Sequence, residues 1–326
     1  MTAQSRVMIA LLLIAGAALT AAQAPQGGRG AAPPPPEPNP AAPLYRHTGE
    51  QYRIYNFPGT GESIPYRLFV PTSWTPEQKL PMLVTLRAGN TVDGPYRAGN
   101  DLVKQAAQRG YIVVTPMGYR GLSQPYYGSR YPIARVPTPS VPAAGWTPQE
   151  DERAEQDVLH VMNLVTKEYN VDTSRVYLHG QNPSGSGALH LAAKYPERFA
   201  AAAVGAGIVN WASDYGTADI ARTKETEFFG TPWEESALNT MIRQSPLTYA
   251  GKARAATLFI HGEVDQRVPY SEAEQMYVAL KKNGVPAKMI QYKGMPHSIS
   301  GSWNNVHRMI NELRWLDTYT KAKGVS

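Results

Sequence analysis

The sequence predicts an α/β fold: a mostly parallel central sheet with helices on both faces and an antiparallel hairpin at its N-terminal side. Three observations predict it. Short, uniformly apolar runs recur along the chain, bounded by Gly, Pro, Asp or His, as strands buried on both faces require. Segments with helical periodicity separate most of these runs, which makes right-handed βαβ crossovers the natural connection. Before them stand two strand-like segments joined by Pro58-Gly59-Thr60-Gly61, a sequence with hairpin-turn chemistry.

The elements follow in order. The hairpin strands fall at 51–57 and 64–70. The buried runs are 83–86, 112–115, 175–178, 200–204 and 257–260. Helical patterns occupy 101–109, 152–169, 184–194, 235–243, 271–283 and 304–321. Ser271 is the expected N-cap of the fifth helix, and Asn283-Gly284 its stop.

The organisation is expected to be tripartite. Residues 1–24 read as a secretory signal peptide, with Arg6 as the positive region, 7–19 as the apolar core and small residues around Ala22 and Ala24 for cleavage. Residues 25–43 form a Pro/Gly/Ala-rich linker without large apolar side chains to bury. Residues 44–326 form a single domain. The formal charge of +6 is spread without a dense Lys/Arg stripe, so no nucleic-acid partner is expected. No membrane span is expected after signal cleavage, and the sequence does not fix an oligomeric state. The chain contains no cysteine, which excludes disulfides, thiolate metal sites and a cysteine nucleophile. Its histidines lack metal-ligand spacing, and no cofactor is expected.

Four motifs carry a resemblance. Tyr66-Arg67-Leu68-Phe69-Val70-Pro71 and the run from Tyr169 through Asn170, Val171, Asp172, Thr173, Ser174 and Arg175 to Tyr177 are the less specific pair. Ala192-Ala193-Lys194-Tyr195-Pro196-Glu197-Arg198-Phe199 and His261-Gly262-Glu263-Val264-Asp265-Gln266-Arg267-Val268-Pro269 are the more specific. Together they make residues 50–320 resemble the α/β-hydrolase family. Within it, the chain is similar to secreted bacterial esterases of the polyhydroxybutyrate depolymerase and feruloyl esterase group and to prolyl oligopeptidase catalytic domains. The resemblance implies that Asp265 is the triad acid and His297 the base, in the chain order of this fold.

The expected nucleophile is missing. Where the family has Gly-x-Ser-x-Gly, this chain reads Gly180-Gln181-Asn182-Pro183-Ser184. Asn182 takes the serine position. Pro183 takes the following one, whose backbone N–H would help form the oxyanion hole, and proline has no N–H to donate. The other half of that hole would come from the backbone of Ala88 or Gly89. Because the residue before proline avoids strained conformations, an unstrained junction is expected, with Asn182 as N-cap and Pro183 as first helical residue. Ser184 and Ser186 are the alternative nucleophiles, displaced along the helix from the tip. Two aromatic-rich insertions, one with Tyr119, Tyr126, Tyr127, Tyr131 and Trp146 and one with Trp211, Tyr215, Phe228, Phe229 and Trp233, are expected above the strand ends. They would line a cleft or form lid cores. The functional expectation is an exported hydrolase-like protein that binds an ester, glycan or polymer fragment, or a protein partner, without turnover. The alternative is an active carboxylesterase or peptidase using a displaced serine.

Overall fold

The computed structural model describes residues 46–86, 101–118, 148–228 and 230–321. Strands β1 (Gly49–Asn56) and β2 (Ser63–Val70) pair antiparallel along their whole length, from Gly49 opposite Val70 to Asn56 opposite Ser63. The turn between them is closed by the Gly61 N–H donating to the Phe57 carbonyl at 2.9 Å. Strands β3 (Leu80–Thr85), β4 (Ile112–Pro116), β5 (Val171–Gln181), β6 (Ala201–Gly205), β7 (Ala256–Gly262) and β8 (Ala287–Tyr292) complete an eight-stranded sheet of order β1-β2-β4-β3-β5-β6-β7-β8. All neighbours from β4 to β8 are parallel, and β2 meets β4 antiparallel.

Side-chain alternation assigns the two faces. Met82, Val84, Val114, Leu178 and Val204 pack with helices α2 (Pro148–Tyr169), α3 (Pro183–Lys194) and α7 (Tyr270–Lys282) in one core. Leu83, Val113, Tyr177, Ala201 and Ala203 lie under α1 (Leu102–Gln108) and α8 (Ser302–Thr318). Both faces are therefore dry, which is why these strands read as continuous apolar runs.

Three features differ from the sequence expectation. Strand β8 was not anticipated: its sequence Ala-Lys-Met-Ile-Gln-Tyr is only half-buried, as an edge strand's is, and carries no continuous apolar signature. The second insertion folds as α4 (Trp211–Thr217) and α5 (Ala221–Phe228), followed by α6 (Glu235–Gln244) and a 3₁₀ segment, Pro246–Lys252. Ser271 is not an N-cap. Pro269 occupies that position, and helix α7 has already begun at Tyr270. Its end is as expected, with Asn283 as C-cap and Gly284 at φ 71°. Among the described residues, no helix is long and apolar enough to cross a membrane.

Candidate active site

The strand order changes direction at β3, because β4 lies on one side of it and β5 on the other. Ligands of open α/β sheets bind beyond the strand ends at such a switch point. There the Leu86 N–H donates to the His179 carbonyl at 2.9 Å, so the segments leaving β3 and β5 emerge side by side.

At the tip of β5, Asn182 has φ 55° and ψ −125°. This overturns the expectation of an unstrained junction. Pairing with β3 and β6 fixes the direction of β5, and the Asn182 N–H is held by the Gly205 carbonyl at 2.8 Å. The chain must then reverse at once into α3. A Cβ at Gly180 would lie 2.1 Å from the Ser184 carbonyl oxygen, so glycine is required there. The fold overrides the preference of a residue before proline, and Asn is among the few non-glycine residues that tolerate positive φ. Such a conformation costs on the order of 1–3 kcal/mol. Asn182 does stand at the N-cap position, but its side chain makes no capping hydrogen bond, and Pro183 opens the helix.

Ser184 and Ser186 are both fully buried. The Ser184 hydroxyl donates to the Gln181 carbonyl at 2.9 Å and lies 3.2 Å from the Gln181 N–H, bracing the inside of the turn. The Ser186 hydroxyl accepts the Ile208 N–H at 2.8 Å and ties α3 to the segment after β6. Ser186→Ala is expected to orphan that buried N–H and to cost about 1–3 kcal/mol. A denaturant midpoint unchanged by the substitution would contradict this structural role.

Asp265, in the loop after β7, is almost fully buried. Its Oδ1 accepts the N–H groups of Arg267 (2.9 Å) and Val268 (3.0 Å). Its Oδ2 lies 2.8 Å from His297 Nδ1 and 3.3 Å from His261 Nε2. Burial opposes ionisation, but hydrogen bonds from both histidines and the Val268 N–H outweigh it and hold the carboxyl well below the usual range. The bond to Asp265 orients the His297 imidazole and leaves Nε2 for a ligand. The two loops can meet because position 262 is glycine: a Cβ there would fall 2.3 Å from the Pro296 carbonyl oxygen.

Further groups, which sequence reasoning missed, tie the insertion after β6 to α7 and to the Asp265 loop. Glu272, on α7 and fully buried, accepts the N–H groups of Val209 (2.9 Å) and Asn210 (2.8 Å) as well as the Ser213 hydroxyl. It anchors the start of α4. Asp214 and Lys224 form a buried ion pair at 3.1 Å, with the ammonium 4.4 Å from the Trp211 ring centroid. Burial pushes the Asp214 carboxyl up to about 6, against the opposing pull of Lys224. Outside, Arg267 makes two contacts to Asp219, at 2.6 and 3.3 Å, linking the acid loop to the insertion. Only the chain fold brings these groups together, so no local pattern announces them.

Of the insertion aromatics, Trp211 and Phe228 are buried with ring centroids 5.1 Å apart and join the main core on the α2/α3/α7 face, rather than forming a lid core of their own. Tyr215 meets Trp233 edge-on at 5.4 Å, and Trp233 remains exposed. Ala88, Gly89, Tyr119, Tyr126, Tyr127, Tyr131, Trp146 and Phe229 lie outside the described residues. Among the described residues, no group of three or more His, Cys, Asp or Glu side chains could hold a metal ion.

Residues 146–323, more than half of the chain, match the prolyl oligopeptidase family model. The chain belongs to the prolyl oligopeptidase family. Among its relatives, the acylamino-acid-releasing enzyme of Rattus norvegicus is 29% identical over 170 residues, covering 50% of this chain and 23% of the rat protein. Dipeptidyl-peptidase 5 of Porphyromonas gingivalis is 26% identical over 258 residues, covering 77% of this chain and 35% of that one. The chain thus spans roughly a quarter to a third of the length of these prolyl oligopeptidase relatives. The solved acylaminoacyl peptidase of Pyrococcus horikoshii shares the fold, with a TM-score of 0.63 at 20% identity over 86% of this chain and 43% of that one.

Proposed function

We propose that this prolyl oligopeptidase-family chain binds a ligand beside the Asp265–His297 pair and does not pass through an acyl-enzyme. The reading rests above all on Asn182: the turn after β5 stands at φ 55°, ψ −125° and carries a carboxamide where the family motif has a hydroxyl. An amide is a poor nucleophile, and Pro183 offers no oxyanion N–H. The comparisons favour an active peptidase equally; what counts against a displaced serine is that both candidate hydroxyls are buried and engaged with the backbone. The names of the relatives favour a short peptide or an acylated amino acid as ligand, with an ester, glycan or polymer fragment as the broader class. Export, with 1–24 as signal peptide, belongs to the same proposal and rests on sequence alone.

The test is labelling of the purified protein with a fluorophosphonate, beside hydrolysis of p-nitrophenyl esters and of N-acyl and dipeptidyl p-nitroanilides. No labelling and no turnover above buffer are expected. Labelling or turnover abolished by Ser184→Ala or Ser186→Ala would sink the proposal and identify a moved nucleophile.

A further inference from the structure

We infer that Pro183 is a chemical guard: it keeps the side chain at the elbow a neutral carboxamide by blocking the deamidation that the backbone geometry at Asn182 would otherwise promote. Asparagine is lost when the next residue's backbone nitrogen attacks the side-chain carbonyl carbon. A bond forms between that nitrogen and Cγ, the Cγ–Nδ2 bond breaks, and ammonia leaves with the proton the backbone nitrogen gives up. Water then opens the cyclic imide at either carbonyl, leaving aspartate or isoaspartate. The first step needs that nitrogen swung round toward the side chain, and it needs an N–H.

Asn182 meets the geometric requirement and fails the chemical one. Its ψ of −125° brings the nitrogen of residue 183 close to eclipsing Cβ, the arrangement found in the five-membered imide ring. The fold holds this angle, through the Gly205 carbonyl on the Asn182 N–H and the Gly185 N–H on the Asn182 carbonyl, both at 2.8 Å. A nucleophile held on the side of its target in this way needs one fewer rotation to react than in a flexible chain, a rate advantage. Proline's nitrogen, however, is already bonded to three carbons and has no proton to release, so a neutral imide cannot form.

Asn283-Gly284 is the converse within the same chain. Glycine there supplies an unhindered N–H, the most permissive neighbour an asparagine can have, but the geometry is closed. Asn283 is at ψ 6°, the Gly284 N–H is taken by the Lys281 carbonyl at 3.1 Å, and the Asn283 side chain is tied to the Ala250 carbonyl at 3.0 Å. One site is protected by its neighbour's chemistry and the other by its backbone.

The inference does not depend on whether the site turns anything over. The experiment incubates the full chain and its Pro183→Gly and Pro183→Ala variants at mildly alkaline pH, then maps peptides by mass for the 1 Da gain at Asn182 and Asn283. The parent should keep both residues intact. The variants should convert Asn182 at least about tenfold faster than a free peptide of residues 178–187 bearing the same change, with Asn283 still intact. Because unfolding would expose Asn283-Gly284, its survival certifies that a variant is folded. Folded variants that deamidate at 182 no faster than the peptide would overturn the proposal. So would deamidation at 182 in the parent, or parent chain cleaved after 182 by attack of the side-chain nitrogen on its own backbone carbonyl. Deamidation or cleavage at 182 in the parent overturns the proposal whether or not the variants fold.

Discussion

A triple variant, Asn182→Ser with Pro183→Met and Ser184→Gly, should hydrolyse activated esters at least about 10³-fold above background, where the parent is expected to show no turnover. The substitutions restore three separate parts. Serine supplies the hydroxyl at a backbone position whose φ of 55° is already strained, as a nucleophile elbow's is. Methionine restores a backbone N–H at the oxyanion position, and glycine restores the family pattern after it. Asn182→Ser alone, with Pro183 kept, should fall short of the triple variant by about 10²–10³-fold, the usual effect of removing one oxyanion donor. Both comparisons are read from kcat/KM on one p-nitrophenyl ester. Equal rates for the single and triple variants would mean that the Pro183 position contributes no donor. A folded but silent triple variant would mean that Asp265 and His297 cannot serve a serine at position 182.

The largest stability effect is expected away from this site, at Glu155. This buried carboxylate of α2 lies 3.2 Å from His190 Nε2 and 2.8 Å from Lys194 Nζ, and it accepts the Tyr195 hydroxyl at 2.5 Å. His190 Nδ1 in turn lies 3.2 Å from the Gln244 carbonyl, so one carboxylate gathers α2, α3 and the end of α6. Glu155→Ala should cost about 3–5 kcal/mol, because it leaves buried donors without their acceptor. Burial alone would raise the Glu155 carboxyl, but hydrogen bonds from His190, Lys194 and Tyr195 bring it down to about 2. A carboxyl depressed on folding adds stability that is complete above its unfolded value and is lost as pH falls through the folded one. The difference between parent and variant should therefore hold from pH 7 down to about 5 and shrink between about pH 4 and 2. Urea unfolding across that range measures it, and a difference independent of pH would remove the carboxylate's charge from the explanation.

The fold was legible in the sequence to the extent that burial was two-sided. The buried stretches of β3 to β7, in β5 the run Val176-Tyr177-Leu178, are apolar because helices cover both faces, and so they stood out. Strand β8 lies at an edge, and Lys288 and Gln291 hide it. At the site, Asp265 was legible from the 261–269 motif and His297 from the chain order that the resemblance implies, and the structure sets them 2.8 Å apart. The conformation of Asn182 was misjudged because the local preference of a residue before proline was given more weight than the tertiary constraint. Strand pairing on both sides of β5, the Gly205 carbonyl and the absent Cβ at Gly180 together exceed that preference. Glu272 and the Asp214–Lys224 pair were invisible for a different reason. Their partners lie on other helices, and a buried carboxylate looks like any surface acid until the chain is folded around it.

The clearance at Gly180 divides the elbow into two kinds of position. At 180 an added carbon would collide with main chain, so no side chain can be accommodated while the turn persists. At 182 the demand is on the backbone, φ 55° and ψ −125°, which asparagine tolerates better than most residues and serine would meet at a cost on the order of 1–3 kcal/mol. The elbow thus behaves as a socket with an exchangeable head: its form is secured by a neighbour two residues away, and the group it presents can be replaced without rebuilding the support. Gain and loss of chemistry at such a site are substitutions at 182 and 183, open in both directions for as long as residue 180 remains bare.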